Sequence, residues 1–469
     1  MAADSPPDAP AQHSTAASAA PAPEVPSGTS TSPVEGDATQ TDEVLKRVPL
    51  MPHLWVPYTT HAAADSVRAK PPGTRVRRGE PVTETVPQSS HAPLAPADGV
   101  IAGIESVKLL DGRQAMAVSL EPHGGANGAG SPPGGASAPA SPRAQPAADL
   151  FGEIQTAERG TWIEDMLMAG IWAERWGSPD LIAQLHQSMR RPVDTVVCSV
   201  LDPDRAVPLQ SVVAGAFGAE LSAGVALLAK LAGAERAWVV ADVLSPDAFQ
   251  EDLRKHAEAA GARLVPLPNE YPQADPTLLL HALLQRRLPP DHLPTDAGVL
   301  LVDAAAAVAV GRFAKTRRPM LTVPLAVYDA ATDRNTFLEV PVGTVLEDVL
   351  EFAGVRADCV TFRGGPPPRD LRLTGRAVVG GAELTVYVTP AEEDVNPDPC
   401  IRSGWCVEAC PVRIHPAGLL EAAQSNDADL AESYGLAACI ECGICNYVCP
   451  SRLPLLEGIR SLRRRGANR

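Results

Sequence analysis

Unbroken apolar runs alternate with helix-like stretches through the middle of the chain. Such runs, bounded by turn residues and free of polar alternation, are typical of strands covered on both faces in a parallel sheet. The predicted strands are residues 194–200, 237–243, 263–267 and 298–303, and the predicted helices are residues 209–233, 246–260, 276–287 and the Ala-rich run that ends at Lys315. Because strands and helices alternate, residues 150–320 are predicted to form a Rossmann-like α/β domain.

Shorter strand patterns flank this region. Residues 46–123 place β-branched positions between Gly and Pro turns, which predicts a small barrel or sandwich. Residues 321–392 show strand patterns around an amphipathic helix, with Thr344 as its N-cap and Gly354 as its stop. The predicted strands are residues 321–328, 336–342, 359–363 and 383–388. Two strands, a helix and two further strands of this length predict a β-grasp domain.

The spacing in residues 46–123 resembles the barrel-sandwich hybrid of lipoyl and biotinyl domains. Those domains carry their cofactor on a Lys at a hairpin tip, flanked by Met or Ala. Lys108 sits in a different context. We therefore expect a docking or packing module there, not a cofactor carrier.

Three segments lack a hydrophobic period. Residues 1–45 are rich in Ala, Pro, Ser and Thr, hold seven acids and no Lys or Arg, and are predicted to be disordered. Residues 124–149 are rich in Gly, Ala, Pro and Ser and are predicted to be a flexible linker. Residues 458–469 hold five Arg and no acid, and are predicted to be a solvated basic tail.

Composition narrows the classes of function. The 469-residue chain has a formal net charge of −16, which disfavours a nucleic-acid binder. No run approaches the roughly 18–20 uncharged apolar residues of a membrane span. The first residues lack the charged and apolar regions of a secretory signal. We therefore expect a cytoplasmic protein that is soluble or peripherally attached to a membrane.

Seven of the nine cysteines lie in two runs within the last seventy residues. The second run, Cys439-Ile-Glu-Cys442-Gly-Ile-Cys445-Asn-Tyr-Val-Cys449-Pro, has the C-x2-C-x2-C-x3-C-P spacing that holds cubane iron–sulfur clusters. The first run, residues 400–411, has the same frame with Ser403 in place of the second cysteine. Clustered cysteines in a chain of cytosolic type indicate metal ligands, whereas the separate Cys198 and Cys359 are predicted to be small buried hydrophobes.

In two-cluster ferredoxins, the cysteine before the proline ligates the other cluster. A complete [4Fe–4S] site is therefore predicted at Cys410, Cys439, Cys442 and Cys445, and a second, atypical site at Cys400, Cys406, Cys449 and Ser403. The second site allows a [3Fe–4S] cluster, a [4Fe–4S] cluster with a serine ligand, or a labile or empty site. Three retained thiolates favour a bound cluster, and the spacing disfavours zinc, the rival metal. The 28 residues from Pro411 to Ala438 have helical patterns, so residues 393–457 are predicted to form an α-helical ferredoxin domain.

Taken in order, these parts resemble the C subunit of the Rnf-type, ion-translocating ferredoxin:NAD oxidoreductase complex. That family runs from a barrel-sandwich domain through a flavin- and nucleotide-binding α/β domain and a β-grasp (SLBB) domain to a two-cluster ferredoxin. The resemblance spans residues 50–460. The matching stretches are residues 439–451, 340–344, 350–354, 271–273 and 293–299.

The family's flavin and nucleotide motifs are altered here. Where the family has Gly-Leu-Gly-Gly-Ala-Gly-Phe-Pro, this chain has Gly-Ile-Trp-Ala-Glu-Arg-Trp-Gly-Ser-Pro at residues 170–179, and residues 199–205 lack the acidic Glu-x-Glu-Pro-Tyr segment. Bulky and charged residues replace glycines that let backbone amides approach phosphate. We therefore carry over no FMN or NADH site. Gly215, Gly218 and Gly224 fall inside a predicted helix, where small residues serve close packing more often than phosphate binding.

These patterns favour an iron–sulfur electron carrier over two alternatives. The alternatives are an NADH-dependent flavin/iron–sulfur reductase, similar to the cobalamin-reductase relatives of the same family, and a structural subunit whose clusters are not redox-active. No catalytic residue is predicted. The resemblance implies, as partners, the other subunits of a membrane redox complex at the inner face of the cell membrane. A soluble ferredoxin or flavoprotein is a further candidate donor.

Overall fold

The computed structural model describes residues 44–59, 67–85, 92–123, 156–171, 173–355, 360–391 and 396–467. The predicted linker, residues 1–43 of the segment predicted to be disordered, Cys359 and Trp172 lie outside these ranges. The strands are β1 (Lys46–Arg47), β2 (Leu54–Thr59), β3 (Arg75–Val76), β4 (Gly99–Lys108), β5 (Gln114–Pro122), β6 (Thr195–Ser199), β7 (Arg236–Asp242), β8 (Arg263–Leu267), β9 (Val299–Asp303), β10 (Thr322–Asp329), β11 (Arg334–Pro341), β12 (Val360–Gly364), β13 (Arg372–Leu373) and β14 (Thr385–Pro390). The helices are α1 (Thr156–Met168), α2 (Leu181–Ser188), α3 (Leu209–Ala216), α4 (Gly218–Ala232), α5 (Asp247–Ala259), α6 (Pro276–Leu284), α7 (Ala304–Thr316), α8 (Leu346–Ala353), α9 (Trp405–Glu408), α10 (Pro416–Ser425), α11 (Ala428–Ser433), α12 (Ile444–Tyr447) and α13 (Leu455–Ala467).

A four-stranded parallel sheet, in the order β8-β7-β6-β9, forms the centre of the α/β region. Helices follow each of these strands, so the predicted parallel α/β arrangement is confirmed. The middle strand β6 is buried at every position. Cys198 lies in it opposite Val239 and Val302, which confirms that this thiol is a small buried hydrophobe.

The prediction of one continuous helix over residues 209–233 is wrong. The helix breaks at Phe217, whose backbone (φ −125°, ψ 41°) is not helical, and α3 and α4 meet there at an angle of 95°. Phe217 packs beneath Arg312 of α7, with the guanidinium carbon 4.2 Å from the ring centre. The break therefore coincides with a contact between distant parts of the chain, which the local apolar period does not reveal.

Helices α4 and α7 cross at a very short distance. A Cβ atom on Gly224 would lie 1.9 Å from the Ala307 carbonyl oxygen, and one on Gly311 would lie 1.8 Å from the Glu220 carbonyl oxygen. Both glycines are therefore required for backbone-to-backbone contact. Gly224 thus has the packing role that the sequence favoured over phosphate binding.

Residues 321–392, which we call the β-grasp region after the sequence prediction, contribute five strands to a six-stranded mixed sheet in the order β1-β11-β10-β14-β12-β13, with β10 and β14 parallel at its centre. Helix α8 ends at Gly354, in the left-handed conformation (φ 72°), as predicted. Its N-cap is Val345, however, and the Thr344 hydroxyl donates to the Pro341 carbonyl 2.8 Å away. Thr344 was therefore wrongly predicted as the cap, because this buried hydroxyl closes the preceding turn.

Strand β1 does not join the sheet of the region to which the sequence assigned it. It pairs in parallel with β11, at the edge of the six-stranded sheet. The remaining strands of residues 46–123 form an antiparallel sheet in the order β2-β5-β4-β3, around a small core of its own. That sheet contacts the β-grasp region directly, since the Trp55 amide donates to the Gly343 carbonyl 2.8 Å away.

The C-terminal region from α9 to α13 is helical, as the sequence predicted for residues 393–457. Its core includes Leu419 of α10 and Ile459 of α13, both fully buried. Residues 458–467 continue helix α13, and Leu462 is also buried. The Arg-rich segment is therefore part of the packed domain, which differs from the solvated tail that its charge predicted.

No single helix among the described residues is long and apolar enough to cross a membrane. Helices α3 and α4 meet the requirements of length and composition only as a bent pair.

Replacing Gly224 with alanine should lower the free energy of unfolding by about 1–3 kcal/mol, the usual cost of overpacking a close contact. Gly160→Ala in α1 is the matched control, because its Cβ would have no neighbour within 4 Å. In that variant, the better helix propensity of alanine should raise stability by about 0.5–1 kcal/mol. Denaturant unfolding of both variants tests the crossing, and equal effects would contradict it.

Candidate metal centre

Four of the predicted ligands form one group of interacting thiols. Burial raises the pKa of Cys445 to about 12, and the neighbouring thiols of Cys439, Cys442 and Cys410 raise it further. Burial likewise raises the pKa of Cys442 to about 11, with Cys439 and Cys410 adding to the effect. The structure thus brings Cys410 of the first run to three cysteines of the second. We call this set the inner group.

Three other cysteines form a second set, the outer group. Burial raises the pKa of Cys406, and the nearby Cys449 and Cys400 raise it further. Here Cys449 comes from the second run, so each run contributes to both groups. Cys400 is exposed, and Ser403 is exposed in the loop before α9.

Backbone amides point at several of these sulfurs. The Glu441 N–H donates to Cys439 Sγ at 3.4 Å, and the amides of Ile444, Asn446 and Ala417 lower the pKa of Cys442, Cys445 and Cys406 by hydrogen bonding. Soft thiolates that accept peptide hydrogen bonds fit the ligand chemistry of iron–sulfur clusters. Within the described ranges, no three or more His, Cys, Asp or Glu side chains are arranged to hold a single metal ion.

The two cysteine loops have matching backbones in different surroundings. Gly404 and Gly443 each precede a short helix, α9 and α12, with φ of 78° and 77°. A Cβ on Gly443 would lie 1.7 Å from the Pro368 carbonyl oxygen, whereas one on Gly404 would have no neighbour within 4 Å. The loop that carries Cys439, Cys442 and Cys445, which we call the inner loop, is therefore packed directly against Pro368. The loop that carries Cys400 and Cys406, which we call the outer loop, is open at the same position.

Two arginines of α13 hold the inner loop from the other side. Arg460 and Arg463 form ion pairs with Glu441 at 3.1 and 2.8 Å, and Arg463 also donates to the Cys439 carbonyl at 2.5 Å. Burial opposes ionisation of Glu441, but Arg463 and Arg460 outweigh it and lower the pKa of this carboxyl. A buried charge needs such partners to stay ionised. The spacing of the cysteines did not predict these two ion pairs.

Two aromatic residues of the α/β region complete the contact with the inner loop. The Tyr271 hydroxyl donates to the Cys442 carbonyl, and the Trp176 indole donates to the Ile440 carbonyl at 3.1 Å. The two rings stack with centroids 5.9 Å apart and an interplanar angle of 27°. In the sequence, Trp176 stood out only because it lies in the altered Gly-rich stretch. That position indicated the loss of a phosphate-binding site, and it did not predict the contact with the inner loop.

The crevice at the carboxyl ends of the parallel strands is filled by side chains of this chain. Arg175 makes a two-pronged ion pair with Asp303, at 2.6 and 2.5 Å, and both side chains are less than a tenth exposed. Gln210 also donates to Asp303, at 3.2 Å. The cavity left beside these residues is about 30 Å³.

Carboxylates of the chain itself cap the two helices that begin at this crevice. Asp303 accepts from the Ala306 amide at the start of α7, at 2.8 Å. Asp202 accepts from the amides of Gln210 and Ser211 at the start of α3, at 2.5 and 3.3 Å. Helix N-termini attract anions, and the amides at both of these starts already donate to a carboxyl group of the chain itself.

Comparison with known proteins identifies the C-terminal region. Residues 393–453 match the 4Fe-4S dicluster domain family, which supports iron–sulfur clusters there. The chain is 27% identical to the C subunit of the proton-translocating ferredoxin:NAD(+) oxidoreductase complex of Clostridium ljungdahlii, over 42% of this chain and 44% of that protein. It is also 27% identical to the C subunit of the ion-translocating oxidoreductase complex of Rhodobacter capsulatus, over 51% and 47%.

These similarities confirm the resemblance that the sequence motifs predicted. The chain spans about half the length of these curated relatives. Among solved structures, an NAD+-reducing [NiFe]-hydrogenase in the H2-reduced state superposes with a TM-score of 0.47 at 15% identity, covering 69% of this chain and 64% of that chain.

Gly443→Ala should destabilise the inner loop more than Gly404→Ala destabilises the outer loop. Both changes place a side chain at positive φ, at a cost of roughly 1–2 kcal/mol, but the Gly443 variant also collides with the Pro368 carbonyl. Thermal unfolding with iron quantitation should therefore show a lower Tm and less retained iron for Gly443→Ala. Equal losses in the two variants would show that the packing is unimportant.

Asp202 should make stability depend on pH. Burial raises the pKa of this carboxyl to about 7, so between pH of about 4 and 7 the folded state binds a proton that the unfolded state has released. The contribution of Asp202 to stability therefore falls as pH rises through this window. Asp202→Asn should remove that loss, so its stability relative to wild type should be higher at about pH 8 than at about pH 5.

Denaturant unfolding followed by tryptophan fluorescence measures this difference. Asp247→Asn, at an exposed position in the first turn of α5, is the control and should show a smaller pH dependence. A difference between Asp202→Asn and wild type that does not change with pH would refute the assignment.

Proposed function

We propose that this chain is an iron–sulfur electron-transfer subunit of a membrane-associated Rnf-type redox complex, and that electrons pass through it by way of two clusters. The observation that carries the proposal is the exchange of cysteines between the runs: Cys410 packs in one hydrophobic cluster with Cys439 of the second run, and Cys449 packs in one hydrophobic cluster with Cys406 of the first. That crossing is the ligand pattern of two-cluster ferredoxins. It places the two groups close together in one small helical domain, as electron transfer between them requires.

The inner group supplies four thiols for a [4Fe–4S] cluster: Cys410, Cys439, Cys442 and Cys445. The outer group supplies Cys400, Cys406 and Cys449, with Ser403 in the fourth position, for a [3Fe–4S] cluster or a serine-ligated [4Fe–4S] cluster. When bound, the clusters supply one-electron carriers. The protein binds them through thiolates, directs peptide N–H groups at the sulfurs and shields the inner group from water.

The surroundings of the two groups suggest different roles. Cys442 and Cys445 of the inner group are buried, whereas Cys400 of the outer group is exposed. Ile401, next to Cys400 in the chain, and Trp405, next to Cys406, are 67% and 54% exposed. Large exposed apolar side chains next to a redox centre suit contact with another protein. We therefore assign electron exchange with a partner to the outer group.

The closed crevice supports a subunit without its own flavin or NADH site. A flavin phosphate would have to displace Asp303 or Asp202 from the helix N-termini, and its ring would have to displace the Arg175–Asp303 pair. Removing one member of such a buried pair costs about 3–5 kcal/mol. On this view, electrons reach the clusters from a partner. The alternative, an NADH-dependent flavin/iron–sulfur reductase similar to cobalamin reductases, requires this crevice to open.

The domain assignment follows the same family. We assign residues 46–123 to a barrel-sandwich hybrid, residues 150–320 to a degenerate flavin/NADH-type α/β domain, residues 321–392 to an SLBB-like β-grasp and residues 393–457 to the ferredoxin domain. The antiparallel, parallel and mixed sheets support this order. Strand β1 belongs with the β-grasp by its pairing, and α13 extends the ferredoxin domain to residue 467.

The proposed partners are other subunits of a membrane redox complex, with a soluble ferredoxin or flavoprotein as a further candidate donor. The names of the relatives, each a subunit of an ion-translocating or proton-translocating complex, support this proposal. We place the protein in the cytoplasm, peripherally attached to the inner face of the cell membrane. A net charge of −16 is consistent with the absence of nucleic acid from this set.

Anaerobically purified protein should contain iron and acid-labile sulfide for two clusters, and Cys442→Ala should lose one whole cluster. Ser403→Cys should change the EPR spectrum of the other cluster alone, and a [3Fe–4S] signal in the oxidised wild type should disappear if that serine is the reason for it. Cys198→Ala is the matched control, because this buried thiol lies in β6 and should leave both clusters intact.

Iron and flavin quantitation with EPR distinguishes the alternatives. Protein without iron or sulfide would refute the proposal. Bound flavin with NADH-dependent dye reduction would favour the reductase. Clusters that no accessible potential reduces would favour a structural subunit.

A further inference from the structure

The contact between Trp176 and the inner loop continues through a peptide group to a predicted cluster ligand. The Trp176 indole N–H donates to the Ile440 carbonyl at 3.1 Å. The Ile440 carbonyl and the Glu441 N–H are the two ends of one peptide group. That N–H donates to Cys439 Sγ at 3.4 Å. An unbroken line of two hydrogen bonds therefore joins the indole of the α/β region to a sulfur of the inner group.

Hydrogen bonds in series strengthen one another, because a donor on a carbonyl polarises the amide and makes its N–H a better donor. Hydrogen bonds to the sulfurs of an iron–sulfur cluster are among the factors that set its reduction potential. A stronger N–H···S bond stabilises the extra negative charge of the reduced cluster. The reduced form should therefore be favoured by any group that polarises this peptide in the same direction.

Resting on the iron–sulfur function proposed above, we propose that Trp176 is a positioning residue that raises the reduction potential of the inner cluster through the Ile440–Glu441 peptide. The role is specific to the inner group, since Ile401, the residue of the outer loop that corresponds to Ile440, is 67% exposed. The bulky residue in the altered Gly-rich stretch thus contributes to the redox chemistry of the C-terminal domain.

The surroundings of Trp176 hold the indole in the orientation that this role needs. Its ring stacks on Tyr271 at 5.9 Å and lies beneath the guanidinium of Arg369 at 5.4 Å. Arg369 is itself buried and paired with Glu383 at 3.4 Å. The indole therefore has contacts on its faces as well as at its N–H. A side chain with this much support loses little entropy when it donates its hydrogen bond.

Trp176→Phe tests the relay, because it keeps an aromatic ring for the stack and removes the N–H donor. We expect the inner cluster to become harder to reduce. Polarisation by a neighbour strengthens a hydrogen bond by roughly 10–30%, so for an N–H···S bond of ordinary net strength the ratio of reduced to oxidised inner cluster should fall by about 1.2- to 1.7-fold at the wild-type midpoint potential. EPR-monitored redox titration of the complete anaerobic protein measures this ratio. The outer cluster should keep its midpoint.

Tyr271→Phe is the matched control. It also removes a hydrogen bond to a carbonyl of the same loop, that of Cys442, but the N–H of that peptide belongs to Gly443. The amide that donates to the Cys442 sulfur is that of Ile444. We therefore expect Tyr271→Phe to leave the midpoint of the inner cluster close to the wild-type value. Trp176→His, which retains a ring N–H, should recover part of the shift.

These measurements distinguish polarisation of the Ile440–Glu441 peptide by Trp176, the relay, from a general loosening of the inner loop. An unchanged midpoint in Trp176→Phe, or an equal shift in Tyr271→Phe, overturns the relay while leaving the proposed function intact. Wild-type protein without clusters overturns the proposed function instead. If Trp176→Phe fails to retain the inner cluster, Trp176→His carries the test. Its ring N–H restores only part of the bond, so a lowered inner-cluster midpoint beside an unchanged outer one supports the proposal, and an unchanged inner midpoint overturns it.

Discussion

The convergence of Cys410 with Cys439, Cys442 and Cys445 is the constraint on which the C-terminal part of the molecule depends. These thiols come from stretches separated by a helical connection, so they meet only if that connection is rigid and has the right length. Helices α10 and α11 supply it, and α13 packs on α10 to hold it in place. Burial and the neighbouring thiols both disfavour the ionised forms of Cys442 and Cys445. Hydrogen bonds from peptide N–H groups and the nearby arginines offset part of the cost of ionising the thiols. The positive charge of a bound metal cluster would offset the rest.

Local pattern was sufficient for much of the fold. Each parallel strand is a short apolar run with turn residues at its ends, and residues 263–267 were predicted with the bounds that the structure shows. The cysteine spacing likewise predicts two sets of ligands, one with Cys410 and the other with Cys449 taken from the opposite run. In both cases the information lies within a few neighbouring residues, because a buried strand needs apolar side chains throughout and a cluster loop needs a fixed number of residues between its ligands.

Features that depend on distant contacts escaped prediction. The break at Phe217 lies where its ring packs under Arg312, and β1 pairs with β11 at an edge that only the folded sheet provides. The Arg-rich end of the chain looked solvated because charge was the only local signal, while its partner, Glu441, lies in the cluster loop. The contact of Trp176 with Ile440 is of the same kind: the sequence shows that glycines are missing, but not what the replacement touches.

The asymmetry between the two cysteine loops has a consequence for the lifetime of the protein in air. Oxidants attack thiolates and cluster sulfides that they can reach, so exposure governs the order of damage. The outer loop leaves Cys400 at the surface, whereas the inner loop is enclosed by Pro368, Trp176 and Tyr271. Oxidative loss should therefore begin at the outer group and stop there for as long as the domains stay docked. Oxidation would then produce a half-intact module, in which the outer cysteines are damaged while the inner ones still contribute to the packing of the domain.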